Sequence, residues 1–307
     1  MNARPPLVSG PLADLHRHLD GSLRPSTVAE LAAERGLRVP ADLEFSPGMG
    51  LQDALARFAF TLSLLDTQAA VARVAAEMCE DAAAEGVTTL EIRFAPQLHR
   101  AAPPEAILDA ALSGVAGRAE ILLCGLYGEP PEVLLGLVEA GARRKGVVGI
   151  DLAGGPAPFH AFRLEDYAPA FQRAEALGLG RTVHAGEGRP PAEVRVAIEA
   201  LRAERIGHGT TLLDDPTVVD LVLRRGVTIE ACPTSNVHTG AVARLADHPL
   251  PRWLELGVRA CICADNTLLS GTDAAEELRR VAAMAGMDEA KLRAVVAYGH
   301  QGAFARR

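Results

Sequence analysis

Short hydrophobic runs alternate with longer amphipathic stretches along almost the whole chain, and eight such pairs follow one another. Several of the short runs lack polar alternation, which is typical of strands that are buried on both faces of a parallel sheet. The predicted strands are Leu12–His18, Thr88–Phe94, Glu120–Leu126, Val147–Leu152, Arg181–His184, Arg205–Gly207, Val227–Ala231 and Arg259–Ala264.

The amphipathic stretches between these strands are rich in Ala, Leu, Glu and Arg and predict helices. Proline stands at several predicted helix starts and glycine at several ends, as helix termini favour. The glycines at these ends are Gly36, Gly86, Gly178 and Gly226. The predicted helices include Thr67–Glu85, Pro104–Ala116, Pro131–Arg144, Asp166–Leu177, Pro191–Ala203 and Asp273–Ala285.

Eight β/α units in 307 residues predict one (β/α)8 TIM-barrel domain over residues 1–307. A doubly wound sheet is the alternative topology, but it usually carries a glycine-rich phosphate turn. The chain contains neither a Gly-x-Gly-x-x-Gly turn nor a P-loop. We therefore expect a barrel whose functional residues lie at the carboxyl ends of its strands.

The connection between the first two strands, residues 22–86, is longer than the others and predicts three helices rather than one. In its middle, Leu51, Leu55 and Phe58 share one helical face. This face suits a helix that covers the barrel, and it also suits a lid that excludes water from a site at the barrel mouth. We expect the extra helices to form such a lid.

The composition narrows the classes of function. Hydrophobic residues make up 49% of the chain, and the net charge of −8 argues against a nucleic-acid partner, which binds mainly through Lys and Arg. Residues 1–11 show no apolar signal core, and no run approaches the roughly 18–20 apolar residues of a membrane-spanning helix. The five cysteines form no Cys-x-x-Cys pair. These features predict a cytoplasmic protein without a membrane partner.

A His-x-His pair at the end of the first predicted strand is the first candidate for chemistry. Side chains alternate along a strand, so His16 and His18 point to the same face and could chelate one ion. Imidazole nitrogen suits zinc, with nickel, copper and iron as further possibilities. The pair alone is a weak signal, because His-x-His also occurs by chance.

Further polar segments stand where later strands end, and this shared position strengthens the signal. In an α/β barrel these ends converge on one cavity, so three or four histidines and an aspartate would meet there as a ligand set suited to zinc. The segments are Thr182–Gly188, Arg205–Thr210, Cys232–Asn236 and Ala264–Asn266.

The same segments carry a family resemblance over nearly the whole chain. The chain resembles the adenosine deaminase family of the metal-dependent amidohydrolase barrels, particularly its bacterial members. The matching motifs are Leu15-His16-Arg17-His18-Leu19-Asp20-Gly21-Ser22-Leu23-Arg24-Pro25, Glu91–His99, Val148–Gly154, His184-Ala185-Gly186-Glu187, Ile206–Gly209, and Cys232–Asn236 with Thr239-Gly240.

The resemblance implies a metal centre with one zinc ion per chain. Its implied ligands, by position, are His16, His18, His184 and Asp265. Zinc would lower the pKa of a bound water from 15.7 to about 7. His208 matches the residue that contacts this water and helps take or hold its proton, and Asp265 is expected to serve in catalysis as well.

The resemblance also implies a substrate site for a purine. Glu187 matches the acid that protonates purine N1, which requires a raised pKa that burial or the ring nitrogen could supply. Gly154 matches a backbone contact to the purine, and Asp20 matches the residue that hydrogen-bonds the ribose 5′-hydroxyl. His18 is expected to face the substrate too. Asn266 stands where the family has an Asp that donates a hydrogen bond to N7, and an amide donates without needing a proton.

Two other positions depart from the family pattern. Ala54 falls on the lid helix where the family often has Phe, which suggests more room for substrate. Gly154-Gly155-Pro156 replaces the usual Gly-Asp-Glu, and neither departure touches the implied zinc ligands.

The resemblance thus implies a zinc-dependent aminohydrolase that converts adenosine or deoxyadenosine to inosine or deoxyinosine and ammonia. Adenine and a modified adenosine such as aminofutalosine are the alternatives within the class. A barrel hydrolase of amides or phosphoesters would usually add a carboxylated lysine, but Lys145 and Lys291 stand at no strand end. A binding protein that has lost catalysis would not need Glu187 beside an intact ligand set. Nucleic-acid cytidine deaminases carry a His-x-Glu and Pro-Cys-x-x-Cys signature, which is absent.

Several remaining residues have weaker signals. Cys261 and Cys263 alternate on the eighth strand and could be soft ligands, but buried small residues explain them better. Asp151 suits either an inward barrel residue or a partner of a metal-binding histidine. Two further predictions are that His238 lines the cavity and that Glu91 pairs with Arg93. No role is assigned to His99, His160, His248 and His300.

Overall fold

Eight parallel strands stand side by side in chain order and curl into a barrel that the helices surround. The structure is a computed structural model, and it describes residues 10–100 and 102–304. The strands are β1 (Leu12–His18), β2 (Val87–Phe94), β3 (Glu120–Leu126), β4 (Val147–Ala153), β5 (Gly180–Ala185), β6 (Arg205–His208), β7 (Thr228–Ala231) and β8 (Arg259–Ile262). This order confirms the predicted (β/α)8 barrel.

The helices connect successive strands, as a right-handed parallel barrel requires. They are α1 (Pro25–Glu34), α2 (Leu51–Leu64), α3 (Gln68–Ala84), α4 (Pro104–Val115), α5 (Pro131–Ala142), α6 (Ala168–Ala176), α7 (Ala192–Glu199), α8 (Pro216–Arg225), α9 (Pro233–His238), α10 (Leu250–Glu255), α11 (Ala274–Ala282) and α12 (Glu289–Gly302). The four glycines predicted to close helices all have positive φ, the left-handed conformation that ends a helix at low cost.

The last strand ends two residues earlier than predicted, and the reason lies in the closure of the barrel. After Ile262 the chain turns into the left-handed conformation at Asp265, whose φ is +60°. There the Asp265 N–H donates to the carbonyl of His16 at 2.9 Å, and the His18 N–H donates to the carbonyl of Asp265 at 2.8 Å. The chain after β8 therefore closes the barrel against β1 and holds Asp265 beside the two histidines.

Charged side chains fill part of the barrel interior, and they correct the predicted pairing of Glu91 with Arg93. Glu91 instead pairs with Arg205 at 2.5 Å, while Arg93 bridges Asp151 and Glu230 at 2.8 Å each. All five side chains are buried. Glu91 and Arg93 are two residues apart on one strand, so their side chains enter successive layers of the barrel interior. Each therefore finds its partner on a strand across the interior rather than on its own strand.

The long connection between β1 and β2 forms α1, α2 and α3, which confirms the three predicted helices. Leu64 and Thr61 of α2 are fully buried, whereas Leu51 and Phe58 are half-buried and Leu55 is 37% exposed. One face of α2 thus packs on the body of the protein and another borders a cavity.

The remaining predictions concern the N-terminal segment, membrane-spanning helices and the number of domains. The segment predicted to lack a signal core lies outside the described residues apart from Gly10 and Pro11. In the part of the chain that the structure describes, no helix is long and apolar enough to span a bilayer. The assignment of residues 1–307 to one domain stays a prediction.

Candidate active site

Four side chains from three parts of the barrel meet at the carboxyl ends of the strands. His16 and His18 project from the end of β1, His184 from β5, and Asp265 from the turn after β8. The Nε2 atoms of His18 and His184 are 3.2 Å apart, and Oδ1 of Asp265 lies 3.6 Å from His16 Nε2 and 3.5 Å from His18 Nε2. The fold therefore brings together at one point residues that are up to 249 positions apart in the sequence.

This arrangement fits a tetrahedral cation. Ligand atoms about 2.0–2.2 Å from a tetrahedral zinc ion stand roughly 3.3–3.6 Å from one another, and the three separations above, 3.2, 3.5 and 3.6 Å, lie close to that range. The Nε2 atom of His16 is buried and has no hydrogen-bond partner among the described residues. A buried acceptor without a partner is costly unless something else satisfies it, and a metal ion would do so.

Two carboxylates prepare the histidines for this role, and one of them escaped the sequence analysis. Glu230 Oε2 lies 2.6 Å from Nδ1 of His16, and Asp151 Oδ2 lies 3.0 Å from Nδ1 of His184. A carboxylate is an acceptor, so each ring carries its hydrogen on Nδ1 and leaves the Nε2 lone pair free. Asp151 is thus both an inward barrel residue and the partner of a candidate ligand.

Burial keeps the candidate ligands His16 and His18 neutral, which is the form of histidine that binds a cation. Desolvation, followed by the charge of Arg93, lowers the pKa of His16 well below its usual value, and desolvation with the neighbouring His184 does the same for His18. Burial raises the pKa of Asp265 to about 6. A neutral imidazole is the form that binds a metal, so these shifts favour the ligand state of the histidines at neutral pH.

Backbone strain marks two of the site residues. His208 has a φ of +68° and Asp265 a φ of +60°, conformations that cost free energy in residues other than glycine. Each stands directly after the regular hydrogen bonding of its strand, where the chain must turn to aim the side chain into the cavity. Such strained residues persist where the surrounding structure determines them, and here both face the same centre.

Glu187 lies at the same centre but does not have the raised pKa that the sequence predicts. Its Oε1 accepts a hydrogen bond from the Thr239 hydroxyl at 2.9 Å, and its Oε2 lies 3.8 Å from Arg189 and 3.9 Å from His208 Nε2. Burial alone would raise the pKa of Glu187, but His208, Arg189, His184 and the Thr239 hydroxyl together hold it below its usual value. In the protein alone, Glu187 is therefore a carboxylate.

Two adjoining cavities lead away from this centre. The smaller, about 50 Å³, lies at the histidines and is bordered by Glu187, Asp265 and Asn266. The larger, about 340 Å³, is mostly apolar and contains Asp20, whose Oδ1 is buried without a partner. Burial, and secondarily Asp265, raises the pKa of Asp20 to about 7. His18, Leu55, Phe58 and Gly154 border both cavities, so the two lie side by side.

Glycines give this space its shape in two places. Gly154 has a φ of +78°, and a side chain there would project into open space rather than against protein atoms. Its predicted role therefore needs a bound molecule to be the close neighbour, because the protein itself imposes only the backbone conformation. Gly21 touches Asn266 so closely that an added Cβ would stand 1.9 Å from the amide oxygen, so this glycine is required to seat Asn266.

The remaining predicted residues are placed as follows. Ala54 is buried and borders the smaller cavity. His238 is in edge contact with Phe45 but is not among the residues that border the two cavities. Cys261 and Cys263 are buried with their sulfur atoms 3.7 Å apart, away from the histidines' ligand atoms.

Four residues around the site were given no role from the sequence. Cys232 Sγ lies within 4.8 Å of ligand atoms of His16 and Asp265. The Tyr127 hydroxyl donates to the carbonyl of His184 at 2.8 Å, and Arg189 donates to the same carbonyl at 3.3 Å. Glu230 could have been suspected as the one acidic residue within the apolar run of β7, but nothing in the sequence names its partner.

Comparisons with known proteins agree with one another. The chain matches the profile of the family described as adenosine deaminase over residues 11–307. It is 35% identical to an adenosine deaminase of Vibrio vulnificus over 302 residues, which cover 92% of this chain and 90% of that one. Among solved structures, an adenine deaminase from Arthrobacter aurescens superposes with a TM-score of 0.88 at 26% identity, covering 97% of this chain and 94% of that one. An Arabidopsis N6-mAMP deaminase superposes with a TM-score of 0.86 at 25% identity, covering 97% and 95%.

Proposed function

Because the chain belongs to the adenosine deaminase family, we propose that it hydrolyses the 6-amino group of adenosine and deoxyadenosine to give inosine or deoxyinosine and ammonia. One observation carries the choice of a nucleoside: a buried carboxylate, Asp20, with an unpartnered oxygen stands in the cavity next to the histidine centre. An acceptor of this kind suits a hydroxyl donor such as the 5′-hydroxyl of ribose.

We further propose that His16, His18, His184 and Asp265 hold one zinc ion per chain. The support comes from the separations of their ligand atoms, the unpartnered Nε2 of His16 and the carboxylates that orient two of the rings. Three nitrogens and one oxygen are a donor set that zinc accepts readily. When bound, zinc would make a water acidic enough to supply hydroxide near neutral pH.

We assign the transfer of a proton to purine N1 to Glu187. Its carboxylate lies beside His208 and borders the smaller cavity, where the base would be bound. Because its pKa is low in the protein alone, Glu187 must take up its proton as the reactants bind and the water around it is displaced, since burial raises the pKa of a carboxyl group. Protonated N1 withdraws electrons from C6 and opens that carbon to attack by water.

The polar groups around the smaller cavity orient the base. We assign to the Asn266 amide a hydrogen bond to N7 and to the backbone of Gly154 a contact with the ring, while His18 faces the sugar. Asn266 is held against Gly21, and Gly154 leaves open space where a side chain would stand. An amide donor does not titrate, so recognition of N7 by Asn266 is independent of pH.

A nucleotide fits this site less well than a nucleoside. No Lys or Arg borders either cavity within the described ranges, and the Asp20 carboxylate would face a 5′-phosphate directly. The Arg189 side chain lies next to Gly155, and its Nε donates to Glu193 at 2.8 Å. Its Nη2 donates to the carbonyl of His184 at 3.3 Å, and its Nη1 is 3.8 Å from the Glu187 carboxylate. Free adenine would leave Asp20 without a donor and most of the larger cavity unfilled.

The decisive experiment measures ammonia release from adenosine, 5′-deoxyadenosine, AMP, adenine and aminofutalosine by the same preparation. We expect adenosine to give the highest kcat/KM and 5′-deoxyadenosine a lower one. In an Asp20→Ala variant this preference for the 5′-hydroxyl should vanish, whereas a Glu199→Gln variant on the surface should keep it. Higher kcat/KM for AMP, adenine or aminofutalosine than for adenosine would contradict the proposal.

A further inference from the structure

A fourth histidine of the centre, His208, differs from the candidate ligands in the group that faces its Nδ1. In His16 and His184 that group is a carboxylate, whereas in His208 it is the side-chain amide of Asn236, with Nδ2 3.0 Å from Nδ1. An amide can present either its N–H or its oxygen, so the direction of this hydrogen bond depends on what holds the other end of Asn236.

The other end of Asn236 leads to an anchor whose direction is fixed. Its Oδ1 lies 3.2 Å from Nε2 of His248, and Nδ1 of His248 lies 3.2 Å from the backbone nitrogen of Leu250. A backbone N–H can only donate, so Nδ1 of His248 must be the acceptor. The neutral His248 ring then carries its hydrogen on Nε2 and donates to the oxygen of Asn236. The amide is thereby oriented with its N–H groups toward His208.

We propose that Asn236 and His248 are positioning residues that fix neutral His208 with its hydrogen on Nε2, so that it presents a donor and not a lone pair to the attacking water. The inference rests on the proposed function insofar as it assigns a water to this centre. His208 then holds the oxygen of the water and stabilises the negative charge that develops on it, but it does not take the proton. That proton passes from the water to the carboxylate of Glu187, and from Glu187 to purine N1.

The opposite arrangement would leave two donors facing each other in a dry interior. If His208 carried its hydrogen on Nδ1, the amide of Asn236 would have to turn over and His248 would have to move its hydrogen to Nδ1, against the N–H of Leu250. The side chains of His208, Asn236 and His248 are all buried, so water cannot relieve the mismatch. Burial also lowers the pKa of His248 to about 3, which keeps that ring neutral.

The chain of hydrogen bonds also explains why His208 is not a candidate ligand although it clusters with the three histidines that are. A carboxylate at Nδ1 leaves the Nε2 lone pair of His16 and His184 available, whereas a donor at Nδ1 of His208 puts a hydrogen on Nε2. The rings of His16 and His184 lie 4.9 and 5.0 Å from that of His208, so proximity alone does not separate them.

Nitrogen-15 NMR of the zinc-loaded enzyme with labelled histidine tests this directly, because the two ring nitrogens of a neutral imidazole resonate far apart. We expect His208, identified by its absence from a His208→Gln spectrum, to carry its hydrogen on Nε2. His99 serves as internal reference, since its Nδ1 donates to the carbonyl of Leu65 and it must show the opposite form. A wild-type spectrum with the hydrogen of His208 on Nδ1 would overturn the proposal.

Matched variants then connect the proton position to turnover. Asn236→Asp replaces the donor by an acceptor of the same shape, so His208 should move its hydrogen to Nδ1. We expect kcat to fall at least about 10-fold with KM nearly unchanged. For comparison, a histidine of a Ser-His-Asp triad held in the wrong tautomer loses about 10⁴-fold in kcat. His248→Gln keeps a donor toward Asn236, so the His208 signal and kcat should stay as in the wild type. His248→Phe removes that donor, so the His208 signal should change and kcat should fall. A buried histidine outside the chain supplies the control, and His99→Gln should leave the His208 signal unchanged.

The outcomes are separable from those of the proposed function. If Asn236→Asp leaves the His208 signal in the wild-type form, the proposal is wrong even if adenosine is the substrate. If adenosine is not turned over, the ring-nitrogen spectra of the wild type and of the two His248 variants still decide whether the hydrogen-bond chain fixes His208.

Discussion

Four imidazole rings gather at the mouth of the barrel, with measured centroid separations of 4.5–5.3 Å. At the scale of the single residue, the group at Nδ1, rather than the position of the ring, distinguishes the roles of His16, His184 and His208. Glu230 and Asp151 make acceptors of two Nε2 atoms, and Asn236 makes a donor of another. Substitutions of these partners should therefore change metal binding or catalysis without touching a ligand.

The Asp151→Asn variant tests this for the metal. The amide can still accept from His184 but no longer carries the charge that favours the N–H on Nδ1 and pairs with Arg93. We expect zinc affinity to fall about 10–100-fold, as is usual when a partner of a metal-binding histidine is changed. Competition with a coloured chelator measures the affinity, and Asp247→Asn on the surface is the control. Unaltered affinity would show that Asp151 is needed only for the barrel interior.

The variant Glu187→Gln tests the proton transfer. An amide can donate a hydrogen bond to N1 but cannot release a proton, so a purine nucleoside should still bind while turnover falls by about 10²–10⁴-fold. The loss should appear in kcat more than in binding, because the transfer matures in the transition state. Zinc content, measured by elemental analysis, should match the wild type. Turnover within a few-fold of wild type would remove Glu187 from the mechanism.

At the scale of the secondary-structure element, α2 is the part of the chain with two tasks. Its face with Leu64 packs in the core, while Phe58 borders both cavities and lies 6.3 Å from the ring of His18. Whether α2 moves as a lid stays a prediction, but the two faces can be separated by substitution. A residue that faces a bound molecule affects KM, whereas a residue in the core affects stability.

The pair Phe58→Ala and Leu64→Ala makes this separation on one helix. Phe58→Ala should raise the KM for adenosine several-fold and lower the stability by less than the roughly 3–5 kcal/mol of a buried Phe. Leu64→Ala should lower the free energy of unfolding by roughly 2–5 kcal/mol and leave KM nearly unchanged. Thermal melts and steady-state kinetics on both variants measure these effects. Equal stability losses without a change in KM would place Phe58 in the core.

The elements themselves could be predicted from the sequence because burial on both faces of a strand produces uninterrupted apolar runs. The bounds of β1 and β3 agree with the prediction to the residue. The early end of β8 could not be foreseen, because the apolar residues continue to Ala264 while closure against β1 turns the backbone at Asp265. The apolar pattern of a sequence indicates which residues are buried. Where the strand ends depends on its hydrogen bonds to the neighbouring strand, which the pattern does not show.

The candidate ligands could be placed at one end of the barrel for a similar reason, since parallel strands bring their carboxyl ends together. Of the groups behind them, Asp151 was one of two interpretations open from the sequence, whereas Glu230 could not be identified, because it lies on a strand far from His16 in sequence. The pKa of Glu187 in the protein without substrate could not be foreseen for the same reason, and its rise on substrate binding stays a prediction. Burial was foreseeable, but the Thr239 hydroxyl and Arg189, which outweigh it with His208, are brought there only by the fold.

At the scale of the whole molecule, one buried ion network runs through the barrel and ends at the candidate metal centre. Glu91 pairs with Arg205, Arg205 with Glu230, Glu230 with Arg93, and Arg93 with Asp151. The network contains three acidic and two basic side chains, all buried, so the two guanidiniums balance all but one of the carboxylates. The same carboxylates hold His16 and His184, so the charge balance of the interior and the orientation of the candidate ligands depend on the same groups.

Arg93 is the member through which this dependence can be measured. Replacing it by Met keeps much of the volume but leaves Asp151 and Glu230 with less compensation, and breaking a buried ion pair costs about 3–5 kcal/mol. We expect Arg93→Met to lose stability of that order in chemical unfolding. The exposed pair of Arg173 with Glu139 offers a matched control, and Arg173→Met should cost at most about 1 kcal/mol.

Zinc should also stabilise the Arg93→Met variant to a different extent than it stabilises a variant that is only less stable. Without the guanidinium, the pKa of His16 loses one of the causes that lower it, and the two carboxylates keep more negative charge beside the candidate ligands. Zinc should therefore restore a larger share of the lost stability than it adds to the wild type, because a cation replaces part of the missing positive charge. Unfolding curves with and without zinc give both quantities. An equal gain in the two proteins would show that the ion network and the metal centre are energetically independent, although they share Glu230 and Asp151.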